Sequence, residues 1–105
     1  MSEGYDLTDL LKLVASESAD KLRLFVGQSP MIEIRGESHA IEGPPITLDN
    51  ADSIFRSVAD SRQRREIHER GMVDLIHTVR GGGQFRVQAR LVREEMQIEF
   101  HRVPA

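Results

Sequence analysis

The stretch "VDLIHTVRGGGQFRVQAR", Val73 to Arg90, reads either as a strand leading into a phosphate cradle or as two strands joined by a glycine turn. A phosphate-binding Walker loop needs G-x-x-x-x-G-K-[ST] between a strand and a helix, so that backbone N–H groups and a lysine converge on the phosphates. "RGGGQFRV" has no lysine, no Ser or Thr for magnesium, and a strand pattern rather than a helical one after it. The phosphate reading fails, and the turn reading is left. Looping over Gly81, Gly82 and Gly83 sets Val79 beside Phe85, His77 beside Val87, Leu75 beside Ala89 and Val73 beside Leu91, almost wholly apolar pairs. The opposite face then sets Thr78 beside Arg86, Ile76 beside Gln88 and Asp74 beside Arg90. A slip of one residue would mix the two faces.

Working downstream, a turn at Arg93 and Glu94 pairs Leu91 with Met96, Ala89 with Ile98 and Val87 with Phe100. On the polar side Arg86 meets His101, Gln88 meets Glu99 and Arg90 meets Gln97. The outer face of this sheet therefore collects Asp74, Arg86, Gln88, Arg90, Gln97, Glu99 and His101. Two roles are open to it. It is a solvated face whose exposed ion pairs are worth ~0–1 kcal/mol each, or it is a surface that contacts a partner or an anion.

Upstream, Leu7, Leu10, Leu11 and Val14 recur at helical spacing behind the capping residue Asp6, which predicts a helix from Asp6 to Ser18. In "KLRLFVGQSPMIEIRG" the apolar residues Leu22, Leu24 and Val26, then Ile32 and Ile34, alternate with others, giving two strands around "GQSP". "SHAI" adds a short third strand after Gly36. The prolines of "EGPPITLDN" favour an extended linker. Beyond it Thr47 is placed to cap a helix that buries Leu48, Ala51, Ile54, Phe55 and Val58. A charged helix follows in "SRQRREIHERG", with Ser61 as cap, Gly71 as stop and Ile67 as its apolar anchor. The sum is an α+β fold, an antiparallel sheet of about six strands with about three helices.

Composition bounds the function. A chain of 105 residues is enough for one compact domain, so residues 1–105 are expected to form a single unit. A net charge of −3 supplies no overall footprint for nucleic acid or an anionic membrane. With no cysteine there is no disulfide, thiolate nucleophile or Cys-based zinc site, which is compatible with a reducing cytoplasm. No secretory leader and no long apolar run appear, so a soluble, cytoplasmic chain without membrane insertion is expected. His39, His68, His77 and His101 are too widely spaced for a metal motif, and no serine lies in a nucleophile-elbow sequence. No catalytic, metal or cofactor site is expected. His77 alternates inward as a core residue, His68 lies on the charged helix and His39 on an edge strand. "RQRRE", Arg62 to Glu66, is either a solvated helix face or a contact for an acidic partner.

Taken together, the segments resemble the N-terminal domain of the PilT-type pilus retraction ATPases, within the wider type II and type IV secretion ATPase family. "DLLKLVASESADKLRLFVGQSPMIEIRGESHAI" resembles the opening helix and first hairpin, including Gly27, Pro30, Met31 and Gly36. "PPIT" resembles the linker, "SRQRREI" the charged helix, "VDLIHTVRGGGQFRVQAR" the sheet, and "FHRVP" the last strand, so the likeness runs from Asp6 to Pro104. The resemblance implies a PAS-like fold attached to a RecA-like ATPase domain that assembles into hexameric rings. It implies partners in the motor domain or neighbouring subunits, including a homo-oligomer, and arginines offered toward the nucleotide. On that footing Arg86 is the leading candidate, followed by Arg90, Arg93 and Arg102, with Asp74 and Glu99 beside them. The sequence departs from the family at Lys21 and Arg23, where an acidic residue and a histidine are common, and at His101, where an arginine is. It also ends at Ala105 before any Walker loop, so the ATPase machinery is absent from it. The chain is then expected to be an excised non-catalytic domain, or a freestanding adaptor or small-molecule sensor of the same fold.

Overall fold

A computed structural model describes residues 4–81 and 83–104. Helix α1 spans Leu7–Ser16, strand β1 Lys21–Phe25, β2 Met31–Ile34 and β3 Glu37–Ala40. Helices α2, Leu48–Val58, and α3, Ser61–Arg70, precede strands β4, Met72–Val79, β5, Gly83–Val92, and β6, Glu95–Arg102. The strands form one six-stranded antiparallel sheet in the order β3-β2-β1-β6-β5-β4. The expected α+β class, with three helices and six strands, is what the chain adopts. Two local meanders, β1-β2-β3 and β4-β5-β6, are joined by the pairing of β1 with β6.

The helices lie over one face of the sheet: α1 against β1, α2 against β6, and α3 against β4 and β5. One continuous core fills the space between, with Leu22, Leu24, Phe55, Phe85, Ile98 and Phe100 all nearly sealed from solvent. The alternation read from the sequence sets the strand residues among these inward, because successive residues of a strand point to opposite faces, and helical spacing turns Phe55 of α2 toward them.

Local signals place the helix ends. The Asp6 carboxylate accepts from the Asp9 N–H at 3.3 Å, and Thr47 Oγ1 accepts from the Asn50 N–H at 3.1 Å. Gly71 closes α3 at φ 80°, a left-handed conformation that glycine adopts without a Cβ penalty. The cap of α3 is Asp60 and not Ser61. The Asp60 carboxylate accepts from the Gln63 N–H while the Gln63 side chain accepts from the Asp60 N–H, so two donors of the first turn are satisfied reciprocally. A cap at Ser61 would put Arg64 at the third helical position, with no acceptor to return the bond.

Two further expectations are corrected. Leu48 is 52% exposed, whereas Ala51, Ile54 and Phe55 are buried. The linker delivers Ile46 to the core through its bridge to Val26, and the first turn of α2 lies outside the packed stripe. The β4–β5 register is displaced by two residues from the one read in the sequence: Val79 pairs with Gly83, His77 with Phe85, Leu75 with Val87 and Val73 with Ala89. The chain reverses between Val79 and Gly83, with Gly81 at φ 74° and Gly83 at φ 86°, a tighter loop than a turn spanning all three glycines. Because the side-chain period is two, this shift keeps each residue on its face and changes only its neighbour. Gly82 lies outside the described residues. The β5–β6 pairing stands as read, from Leu91 with Met96 to Arg86 with His101, around Arg93 and Glu94 at positive φ.

Candidate functional site

The sheet face opposite the helices is uncovered, and alternation brings polar side chains to it from five strands. Three rows cross it. The first runs Glu33, Lys21, His101, Arg86, Ile76; the second Met31, Arg23, Glu99, Gln88, Asp74; the third Phe25, Gln97, Arg90, Met72.

Opposite charges meet within and between these rows. Arg23 lies 3.4 Å from Glu33 through Nη2 and 3.6 Å from Glu99 through Nε, and Lys21 Nζ lies 4.0 Å from Glu33. His101 Nε2 and Glu99 Oε1 are 3.0 Å apart, within hydrogen-bond distance. At the far side Arg86 Nη2 lies 3.7 Å from Asp74 Oδ1. Asp74 was expected beside Arg90; the two-residue register shift gives it to Arg86 diagonally instead. The network is half-buried around Arg23, Glu33 and Glu99, and opens to solvent at Arg86 and Asp74.

Of the six candidate residues, the structure brings Asp74, Arg86, Arg90 and Glu99 to this face. Arg93 sits in the β5–β6 turn, and Arg102 pairs with Phe85, whose side chain faces the helices. Among the described residues no ion pair holds Arg90, Arg93 or Arg102, and of these only Arg90 lies on the open face. Lys21, Arg23 and Glu33 belong to the same face and were not read as part of it. The alternation of "KLRLF" places Lys21 and Arg23 opposite Leu22 and Leu24, but only the β1–β6 pairing brings Arg23 to Glu99.

The "RQRRE" segment borders a cleft of about 270 Å³ between α2 and α3, lined by Arg56, Arg64, Arg65, His68 and Asp52 among others. Two arginines of the cleft are engaged internally: Arg64 Nε donates to the Ala59 carbonyl at 3.1 Å, and Arg56 of α2 lies 3.6 Å from Asp52. His77 faces the helix side, and its burial lowers its pKa below 6.5. His39 is exposed on the edge strand β3, near Glu37. Among the described residues no three His, Asp or Glu side chains form a group able to hold a metal ion, and no helix is long and apolar enough to cross a membrane.

The fold has counterparts in known proteins. The chain is 31% identical over 84 residues to the type IV pilus retraction ATPase PilT of Pseudomonas aeruginosa. That stretch is 80% of this chain and 24% of PilT. A crystal structure of the pilus retraction motor PilT with bound ADP superposes with a TM-score of 0.88 at 24% identity, over 96% of this chain and 30% of that one. In sequence and fold the chain is similar to one part of the PilT ATPase. The Legionella pneumophila ATPase DotB superposes with a TM-score of 0.81 at 17% identity, over 99% of this chain and 31% of DotB, which shows a shared fold. The DotB of Yersinia pseudotuberculosis shares it at a TM-score of 0.76 and 10% identity. No protein-family model matches. The chain spans about a quarter of the PilT sequence it resembles and under a third of the solved chains. No Walker A pattern occurs in its 105 residues.

Proposed function

We propose that residues 1–105 act as one non-catalytic accessory domain of the PilT kind, and that the open sheet face is the surface it offers to a motor subunit. The observation that carries this reading is the likeness to PilT, which joins 31% sequence identity over most of the chain to a near-complete superposition. The polar face gives the reading a physical basis. Its cationic end, Arg86 and Arg90, stands clear of the half-buried network around Arg23, and Arg90 has no carboxylate of its own. A guanidinium in that position offers a planar fork to a carboxylate or phosphate of the partner. Within this reading Arg86 and Arg90 are the residues nearest the partner's nucleotide, whereas Arg93 lies in the β5–β6 turn and Arg102 on the helix side. The protein then works in the cytoplasm, where such a motor has access to ATP.

The test is binding to the PilT-type motor ATPase of the source cell. Charge reversal at Arg86 and Arg90 (R86E/R90E) should weaken binding at least about tenfold, ~1.4 kcal/mol, while circular dichroism and thermal unfolding stay close to the unaltered chain. Unchanged affinity would exclude this face, and a loss of fold in the variant would be resolved by repeating the measurement with Arg86→Gln.

A further inference from the structure

The two edges of the sheet are built differently. Edge strand β3 has four residues, all exposed, and carries Glu37 and His39. Edge strand β4 has eight residues, no proline, no lysine and one acid, Asp74. Short length, charge, proline and bulges are the devices that keep a sheet edge from pairing with another chain. Strand β4 has almost none of them.

Its hydrogen-bonding pattern identifies which groups are unpaired. The Gly71 carbonyl accepts from the Leu91 N–H at 2.9 Å. Antiparallel alternation therefore turns the main-chain groups of Val73, Leu75, His77 and Val79 toward β5, and those of Met72, Asp74, Ile76 and Thr78 outward. Among the described residues no main-chain hydrogen bond satisfies these four outward residues. Their side chains stand on the open face, and two are large and apolar: Met72 is 51% exposed and Ile76 56%.

We propose that β4 is a homodimerisation edge, pairing antiparallel with β4 of a second copy about a two-fold axis at Ile76. An outward residue must meet an outward residue, which leaves three central registers. Centring on Asp74 would set two carboxylates directly opposite, an unfavourable like-charge pair. Centring on Leu75 would set each Asp74 against Ile76 of the other copy. Centring on Ile76 sets the two Ile76 side chains together and each Asp74 against Thr78 of the other copy. The Thr78 hydroxyl oxygen already accepts from Gln84 Nε2 at 3.3 Å, so its proton is available to the incoming carboxylate. Asp74 faces Arg86 through Oδ1, leaving Oδ2 to accept it. Three outward pairs then exchange about six main-chain hydrogen bonds. This self-complementarity, with an apolar pair on the axis and a donor against an acceptor on either side, selects a second copy over an unrelated strand. The two open faces become one continuous surface.

Sedimentation or light scattering of the whole chain should give twice the 11.9 kDa of one copy, falling to one copy for Ile76→Lys and for Ile76→Glu measured separately. Mixing the two variants should restore the double mass, because residue 76 meets residue 76. Since the chain has no cysteine, Ile76→Cys should cross-link to itself on oxidation, and Met72→Cys should not. A single-copy mass for the unaltered chain across the micromolar range would overturn the proposal. So would a dimer that survives both charged variants, or one that Ile76→Lys strengthens, which is what the Leu75-centred register requires.

Discussion

Arg23 of β1 and Glu99 of β6 stand opposite one another across the central strand pair, with Nε 3.6 Å from Oε2. The Arg23 Nε is buried and makes no hydrogen bond, because 3.6 Å is beyond hydrogen-bond range; the interaction is one of charge. Both side chains are partly exposed, which limits its worth through solvent screening. In a double-mutant cycle, Arg23→Met and Glu99→Gln should show a favourable coupling of about 0.5–1 kcal/mol by urea unfolding, shrinking as salt is raised. A coupling indistinguishable from zero at low salt would mean that this pair leaves stability untouched.

Two apolar residues of α2 should behave oppositely. Phe55 is buried against the sheet, and Phe55→Ala should cost about 3–5 kcal/mol from lost transfer energy and the cavity left behind. Leu48 is exposed, and Leu48→Ser should move stability by no more than about 0.5 kcal/mol. Equal effects in denaturant titrations would contradict the placement of the helix's buried stripe.

His77 ties stability to pH. Its native pKa is lowered below 6.5 by burial, so as pH falls the unfolded chain takes up this proton first. The contribution is present above pH 6.5 and is lost as pH falls from there through the lowered native value. His77→Gln should flatten that part of the stability profile. A profile identical to that of the unaltered chain would show that His77 is as well solvated folded as unfolded.

Strand alternation and helix spacing were enough to recover the elements that bury one face and leave the other wet; β3, exposed along its whole length, was marked instead by the glycine turn before it. What alternation cannot carry is a shift by an even number of residues, which preserves every face. The β4–β5 register therefore depended on the conformations of Gly81 and Gly83, which their residue type permits but does not dictate. The β5–β6 register was legible because Arg93 and Glu94 leave room for only a two-residue turn between the apolar runs. The candidate face was half legible for a related reason. Asp74, Arg86, Gln88, Gln97, Glu99 and His101 come from consecutive hairpins, whereas Arg23 and Glu33 arrive through a pairing between residues far apart in the chain. Nor did local rules place Leu48, since the linker's Ile46 took the buried position. At Ser61 the neighbouring Asp60, three residues ahead of Gln63, formed the better reciprocal cap.

The meeting of β1 and β6 also sets the pace at which the molecule assembles. Each meander closes on itself through short loops, so its strands find one another at small entropic cost. Leu24 and Ile98, paired across the seam, must be brought together over most of the chain before either meander gains a covered flank. The seam is the slow search in folding, and until it closes β1 and β6 each present a bare edge to any other chain nearby.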